Sequence, residues 1–188
     1  MSVYSVLTEM TDIPNRLSAV QQKFVLHWGE MGQRWGVNRS VAQIHALLFL
    51  ADGPLHAEEI QGLLGIARSN VSTSLKELQG WELVRMVHIP GDRRDHFEAK
   101  QDPWDMLMTV VEGRKRREID PTLEMLRACV AEAEADKATP ANVKAKMVAM
   151  KAFMEELTGW YEQMRDVPQP VLRKLLSLGA KITAFLTR

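Results

Sequence analysis

The chain has a single cysteine, Cys129, in 188 residues, so no internal disulfide can form, and a reducing compartment is expected. It has no run of 18 apolar residues, which leaves nothing to cross a membrane as a helix, and its first residues (MSVYSVLTEMTDIP) lack the basic and apolar blocks of a secretory signal. Together these read as a cytoplasmic protein without membrane contact. There is no glycine-rich phosphate loop, no HExxH or CxxC metal spacing and no nucleophile elbow. Five scattered histidines beside one cysteine do not suggest zinc. An enzyme is therefore not expected, and neither is a cofactor. Net charge is missing too, with 24 basic against 24 acidic residues. A basic domain is a common mark of nucleic-acid binding, so any such claim must rest on where charges sit, not on their sum. Aromatics make up only 6% of the chain, although five Trp and eleven Met are many for this length. What remains, 46% hydrophobic and 26% charged, is ordinary for a folded protein with a real core.

The pattern that is present centres on 55–100. His56 to Leu64 reads as a short amphipathic helix with Ile60, Leu63 and Leu64 inward, stopped by Gly65. A second helix is predicted over Arg68 to Gly80, where Val71, Leu75 and Leu78 form one buried stripe. At about 100° per residue, Ser69, Thr73 and Lys76 point the opposite way, flanked by Asn70 and Ser72. Short hydrogen-bonding side chains suit a helix lying in the major groove, whereas an ordinary solvated face would carry more Glu and Lys. Two strands are expected next, Leu83 to Ile89 and His96 to Ala99, around the turn Pro90-Gly91-Asp92-Arg93-Arg94. Arg93 and Arg94 at that tip can reach phosphates or a minor groove; alternatively Asp92 pairs with Arg94 and stiffens the turn, leaving Arg93 for DNA. The candidate DNA-binding residues are thus Arg68, Ser69, Asn70, Ser72, Thr73, Lys76, Arg93 and Arg94. The stretch 62–100 holds Arg68, Lys76, Arg85, Arg93, Arg94 and Lys100 against Glu77, Glu82, Asp92, Asp95 and Glu98, a net charge of only +1.

Helices flank this unit. Residues 1–13 are expected to be flexible, and Pro14-Asn15 to open a helix with Leu17, Val20, Phe24, Trp28 and Met31 on one stripe, ending near Gly36. Val25 and Leu26 widen its apolar face beyond what one neighbour needs. Asn38 or Ser40 can cap the next helix, which runs through Val41, Ile44, Leu47, Leu48 and Leu50 and surrounds His45, expected to be a hydrogen-bonded structural histidine. From Pro103 the pattern is helical. A break or kink is expected at Asp120-Pro121 and a turn at Ala138-Thr139-Pro140. A seam of Val143, Met147, Met150, Met154, Leu157 and Met164 follows, and a last helix spans Val171 to Leu186. Gly113-Arg114-Lys115-Arg116-Arg117 either approaches phosphates or pairs with acidic neighbours, and Cys129 reads as a buried thiol. The expected fold is mainly α, a winged helix-turn-helix with an α+β wing. Residues 14–102 form the DNA-binding domain, and 103–188, with the N-terminal helix, form a dimerisation and effector region.

The runs MGQRWGVNRSVAQIHALLFL, LHAEEIQGLLGIARSNVSTSLKELQGWELV and PGDRRDHFEA resemble the GbsR branch of the MarR-type winged-helix regulators, with a weaker extension over Arg117 to Leu123. The resemblance covers about half the chain. It implies a homodimeric repressor that binds double-stranded DNA, and some relatives govern choline and glycine betaine uptake or synthesis. A quaternary ammonium effector such as choline or betaine would need an aromatic cage, for which Trp28, Trp160 and Tyr161 are the candidates. Two positions depart from the pattern. Ala67 stands where relatives commonly have a capping Ser, and Glu82 where they usually have Gly. The rival reading is a winged-helix module that binds protein; it would expose apolar anchors on the recognition face.

Overall fold

A computed structural model of the chain describes residues 17–186. The expectations for 1–13 and for Pro14-Asn15 lie outside the described residues. The chain divides into two compact units, one up to Val110 and one from Val111 onward.

In the first unit, helix α1 (Ala19–Arg34) starts from a capping box. The Ser18 hydroxyl accepts from the Gln21 N–H at 3.2 Å and Gln21 Oε1 accepts from the Ser18 N–H at 2.9 Å, so the helix begins later than its apolar spacing suggests. Leu17, Phe24 and Trp28 of the expected stripe pack half-buried against the core, but the fully buried line runs beside them. Val25, Gly29 and Gly32 are buried, while Val20 is 78% exposed. The glycines let α1 lie directly on α2 (Arg39–Leu50): a Cβ on Gly29 would come within 2.6 Å of Gln43 Cγ, and one on Gly32 within 2.6 Å of Ala42 Cβ. Asn38 caps α2, its Oδ1 accepting from the Ser40 N–H at 2.8 Å. Every residue of α2 from Val41 to Leu48 is buried.

Strand β1 (Leu55–His56) leads into α3 (Ala57–Leu64), which ends at Gly65 with φ +63. Helix α4 (Arg68–Gly80) occupies the span expected for it, and its buried residues are Val71, Ser74, Leu75 and Leu78. Strands β2 (Val84–Val87) and β3 (His96–Ala99) form the wing, and the antiparallel sheet has the order β1-β3-β2. β1 is not an expected strand. Two residues are too few to show alternation, yet they pair with the wing in the register Leu55↔Phe97 and His56↔His96. The core gathers Ile44, Leu48, Ile60, Val71, Leu78 and Phe97 from both helical and strand layers.

Glu82, between α4 and β2, has φ +59, a left-handed backbone that strains any side chain bearing a Cβ. Its neighbour in the sequence, Leu83, is buried and its N–H bonds the Leu78 carbonyl at 3.1 Å, so the chain must turn here to bring β2 onto the core.

His45 differs from expectation. It is buried, and its Nε2 has no hydrogen-bond partner. Burial without compensation pushes its pKa down from 6.5 to about 4, so the ring stays neutral in the fold.

In the second unit, helix α5 (Pro103–Arg114), which begins in the first, runs on through a π-helical turn (Lys115–Ile119) into α6 (Asp120–Ala135). The chain is not broken at Asp120-Pro121; the irregularity there is the π-helical turn, and Pro121 lies in the first turn of α6. Asp120 is helical at φ −59 and ψ −47, and its N–H bonds the Lys115 carbonyl, a spacing of five. The wider turn makes room for a ring that would otherwise meet the carbonyl four residues back. Helix α7 (Ala141–Arg165) returns along α6; Arg127 bonds Glu155 at 3.0 Å and Lys115 bonds Glu162 at 2.9 Å, which fixes the pair as antiparallel. Of the expected seam, Val143, Met147, Met154 and Met164 are half-buried, whereas Met150 and Leu157 are 53% and 49% exposed. They belong to a second stripe with Phe153 and Trp160, at 60% and 58%. Cys129 is half-buried rather than buried, with Sγ 3.5 Å from Met125 Sδ. Helix α8 (Gln169–Leu186) closes the described chain.

Two outcomes are expected. His45 is neutral in the fold but protonates below its ordinary pKa of 6.5 once unfolded, so the unfolded state binds the extra proton and stability drops as pH falls from 6.5 toward 4. The full effect is about 3 kcal/mol, and denaturant titrations at both ends of that range should show a flatter pH dependence for His45→Phe. Glu82→Gly should raise the unfolding free energy by about 1 kcal/mol at neutral pH by relieving the left-handed strain.

Candidate nucleic-acid interface

Helix α4 presents its polar side chains because its apolar ones are fully used. Val71 is 0% exposed and Leu78 2%. That fixes the rotation of the helix and leaves Arg68, Ser69, Asn70, Ser72, Thr73 and Lys76 all exposed on the other side. No large apolar side chain of α4 is exposed among the described residues. Arg68 is held lightly, its guanidinium 3.3 Å from Glu58 Oε1 with its side chain 75% exposed. The α4 N-terminus carries no side-chain cap: Ala67 cannot supply one, and neither Ser69 nor Asn70 takes its place. The first-turn N–H groups of α4 therefore face outward without a side-chain acceptor.

The wing tip separates its two arginines. Arg94 is committed inward. Its Nε donates to Asp92 Oδ1 and Oδ2 at 2.9 and 3.0 Å, and its backbone N–H reaches Asp92 Oδ1 at 3.0 Å. The Arg94 guanidinium beside Asp92 holds that carboxyl well below the usual carboxylate range, and Asp92 in turn raises the Arg94 pKa. Gly91, at φ +87, allows the turn to close, with the Asp92 N–H on the Ile89 carbonyl at 3.0 Å. Arg93 is exposed and takes no part in this ring of contacts. The two arginines of the wing tip are thus not equivalent: Arg93 remains available, while Arg94 is engaged in fixing the turn.

A further contact is not legible in the sequence. Arg94 Nη1 lies 2.7 Å from His56 Nε2, and His56 Nδ1 lies 2.9 Å from Glu58 Oε2. Arginine can only donate, so His56 Nε2 accepts and the proton of the neutral ring sits on Nδ1, donated to Glu58. The Glu59 N–H, 3.4 Å from the same Nδ1, is then not a hydrogen-bond donor to it, and the Glu59 side chain closes the helix start instead by accepting from the His56 N–H at 2.9 Å. The pattern His-x-x-Glu at the start of α3 is a variant of a capping box and is the one available signal. Of the basic run in the second unit, Arg114 bonds Glu118 at 3.0 Å, and Lys115 bonds Asp120 and Glu162 at 3.0 and 2.9 Å, which answers the alternatives in favour of pairing for these two residues.

The effector candidates are placed as follows. Trp28 packs on the core of the first unit and stacks on Phe24, ring centroids 5.4 Å apart. In the second unit, Trp160 is exposed; Tyr161 donates its hydroxyl to Glu112 and has Lys115 Nζ 5.8 Å from its ring centroid. The ring of Tyr161 already has a cation over it. Burial and Glu112 push its pKa up to about 12. Among the described residues no group of three or more His, Cys, Asp or Glu is gathered to hold a metal ion, and no described helix is long and apolar enough to cross a membrane.

Helix, turn, helix and wing stand here in the order and spacing of a winged helix-turn-helix. Residues 31–95 match the MarR family. This MarR match covers α2 to the wing tip, the part that carries every candidate DNA-binding residue. A crystal structure of a transcriptional regulator shares the fold: 16% identity, TM-score 0.54, covering 77% of this chain and 99% of that one. A point mutant of Staphylococcus aureus MepR bound to an oligodeoxyribonucleotide is also similar, at 15% identity and TM-score 0.36, covering 84% of this chain and 99% of that one. Transcriptional regulator Tm0710 from Thermotoga maritima is similar at 18% identity and TM-score 0.37, covering 88% of this chain and 97% of that one. No curated protein matches the chain.

Ala67→Ser should place a hydroxyl acceptor at the start of α4 and stabilise the fold by about 1 kcal/mol, read as a rise in the denaturant midpoint at unchanged slope.

Proposed function

We propose that the protein is a sequence-specific DNA-binding transcriptional regulator, a homodimer that reads a pseudo-palindromic operator and represses transcription. The observation that carries this reading is the composition of the exposed face of α4 inside a winged helix-turn-helix: Ser69, Asn70, Ser72, Thr73 and Lys76, with no apolar anchor. These side chains offer donors and acceptors to base edges, and Arg93 at the wing tip adds a phosphate or minor-groove contact. Arg68 lies at the first turn of α4, where it can meet a phosphate after leaving Glu58. Arg94 acts on DNA indirectly, by holding the turn that carries Arg93. The absence of apolar anchors on this face argues against a module that binds protein through α4.

The dimer rests on apolar surface that one copy leaves uncovered. On α1, Val20 is 78% exposed, Trp35 just beyond it is 69% exposed, and on α7 Met150, Phe153, Leu157 and Trp160 repeat at steps of three and four. Such a stripe suits a facing helix of a second copy. Two lobes would then meet two half-sites about one helical turn apart. Within the MarR-type regulators the wording of the recognition and wing segments favours the GbsR branch. A quaternary ammonium effector would need an open aromatic face; Trp28 belongs to the first unit and is stacked on Phe24, Tyr161 of the second already has Lys115 over its ring, and Trp160 offers the freest face. The reducing compartment implied by a lone cysteine makes the cytoplasm the place of action.

The experiment is selection of bound duplexes from the genome, followed by titration of one selected duplex with the Lys76→Ala, Arg93→Ala double variant. Binding should fall by at least about a hundredfold, since each lost base-edge or phosphate contact costs about 1 to 3 kcal/mol in each of two lobes. The mass in solution should stay that of a dimer. Full affinity in the double variant would reject this surface.

A further inference from the structure

His56 sits where three elements meet. It ends β1, precedes α3, and faces the wing. Its ring is buried, is paired in register with His96, and meets that ring edge-on at 5.5 Å between centroids. The wing tip is linked to the start of α3 by the hydrogen bond from Arg94 Nη1 to His56 Nε2 at 2.7 Å. Arg94 carries the turn through Asp92, and β3 begins two residues later with His96, whose Nδ1 donates to the Arg94 carbonyl at 3.0 Å. The position of Arg93 is therefore tied, through Arg94, to the state of one nitrogen on His56.

We propose that His56 is a positioning residue for the wing: its neutral ring fixes Arg94 to the start of α3, and protonation of Nε2 releases it. The chemistry is a matter of lone pairs. Nε2 accepts from a guanidinium only while it bears no proton. Once protonated it becomes a second donor and a second cation, and it repels Arg94. Carboxylates wait on the other side: Glu59 Oε2 is 3.5 Å from Nε2 and Glu58 Oε2 is 2.9 Å from Nδ1. The charged ring turns from accepting from Arg94 to donating to Glu59, so the same buried site has two arrangements separated by one proton. Other groups bear on the balance. Asp92 keeps hold of Arg94 in both arrangements, Arg68 draws Glu58 toward α4, and His96 Nε2 is 3.6 Å from Asp92 Oδ2.

The effect on operator affinity rests on the DNA-reading function proposed above; the release of Arg94 does not. Two measurements keep them apart, both on the full chain. The first uses no DNA: nitrogen-15 spectra of the imidazole rings and arginine side chains, followed from neutral pH downward until the His56 ring is protonated. The His56 ring should pass from its Nδ1–H form to the doubly protonated form as the Arg94 Nη signals shift and broaden. An Arg94 environment that does not change with the His56 titration overturns the proposal.

The second is the affinity for a duplex selected by the wild-type protein at the upper pH from a random-sequence library, at constant ionic strength. Loss of a hydrogen bond to a charged group predicts a drop of about tenfold at the lower pH. His56→Gln, which keeps an acceptor near the Nε2 position and cannot titrate, should hold its affinity across the range, and His56→Leu should be weak at both ends. Tryptophan fluorescence at each pH confirms that the variants stay folded while His45 approaches its own acid limit. Equal pH profiles for wild type and His56→Gln, or full affinity in His56→Leu, overturn the effect on DNA. If no duplex is selected at any pH, the DNA-reading function fails and the spectra alone decide the release of Arg94.

Discussion

Burial of α2 along its length from Val41 to Leu48 is the constraint on which the first unit depends. With those residues all removed from water, α2 has no face left there to turn toward solvent. α1 is pressed on one side, and α4 and β3 supply other walls. The rotation of α4 follows from this, because Val71, Leu75 and Leu78 must meet the core that α2 provides. The polar face of α4 is then set by elimination. The same packing leaves His45 Nε2 buried without a hydrogen-bond partner, so the core that orients α4 also contains a group that makes the fold sensitive to acid.

Much of this is legible in the residues. Helix α4 can be read to its ends because its apolar steps and the glycines around it agree, as do the stop at Gly65 and the Asn38 cap. Three features are not legible, for different physical reasons. β1 is a strand by virtue of its partner, and nothing in Leu55-His56 records that partner. Pro121 reads as a helix start because proline favours that position, but a turn of wider pitch ahead of it removes the conflict and lets the helix continue. On α7, periodicity shows that apolar residues form stripes but does not show which stripe α6 covers. Met150 and Leu157 share spacing with Met147 and Met154 and end on the exposed side. The site divides in the same way. The exposure of Ser69, Thr73 and Lys76 follows from helical geometry alone, and the pairing of Arg94 with Asp92 is a local turn contact, whereas the tie from Arg94 to the start of α3 depends on His56, 38 residues earlier in the chain.

Near-neutral charge takes on meaning from that division. Asp92 and Glu58 each sit beside an arginine of the candidate set; Arg94 is the main cause that lowers the Asp92 carboxyl, while a backbone hydrogen bond leads for Glu58, with His56 and Arg68 adding to it. Acidic residues are not scattered opponents of DNA here. They hold cations in chosen places, one fixed at the wing and one loosely held at the start of α4. At the wing tip and the start of α4, a neutral sum therefore reflects arginines that are placed by carboxylates rather than a lack of positive charge. For a reader of DNA this favours discrimination over general attraction to phosphate.

The contact at Gly29 and Gly32 has a mechanical side. Where helices meet through long side chains, those side chains can change rotamer and let one helix roll or slide against the other. Here the α1 backbone meets Gln43 and Ala42 with nothing between them. Rolling α1 by a small fraction of a turn would replace each glycine with a neighbour that has a side chain and drive it into α2. The two helices are therefore geared: displacement at one end of α1 must be carried by α2 as a rigid body, with little taken up at the joint. Because α2 also backs α4, the placement of α1 and the seating of α4 are set by the same rigid element.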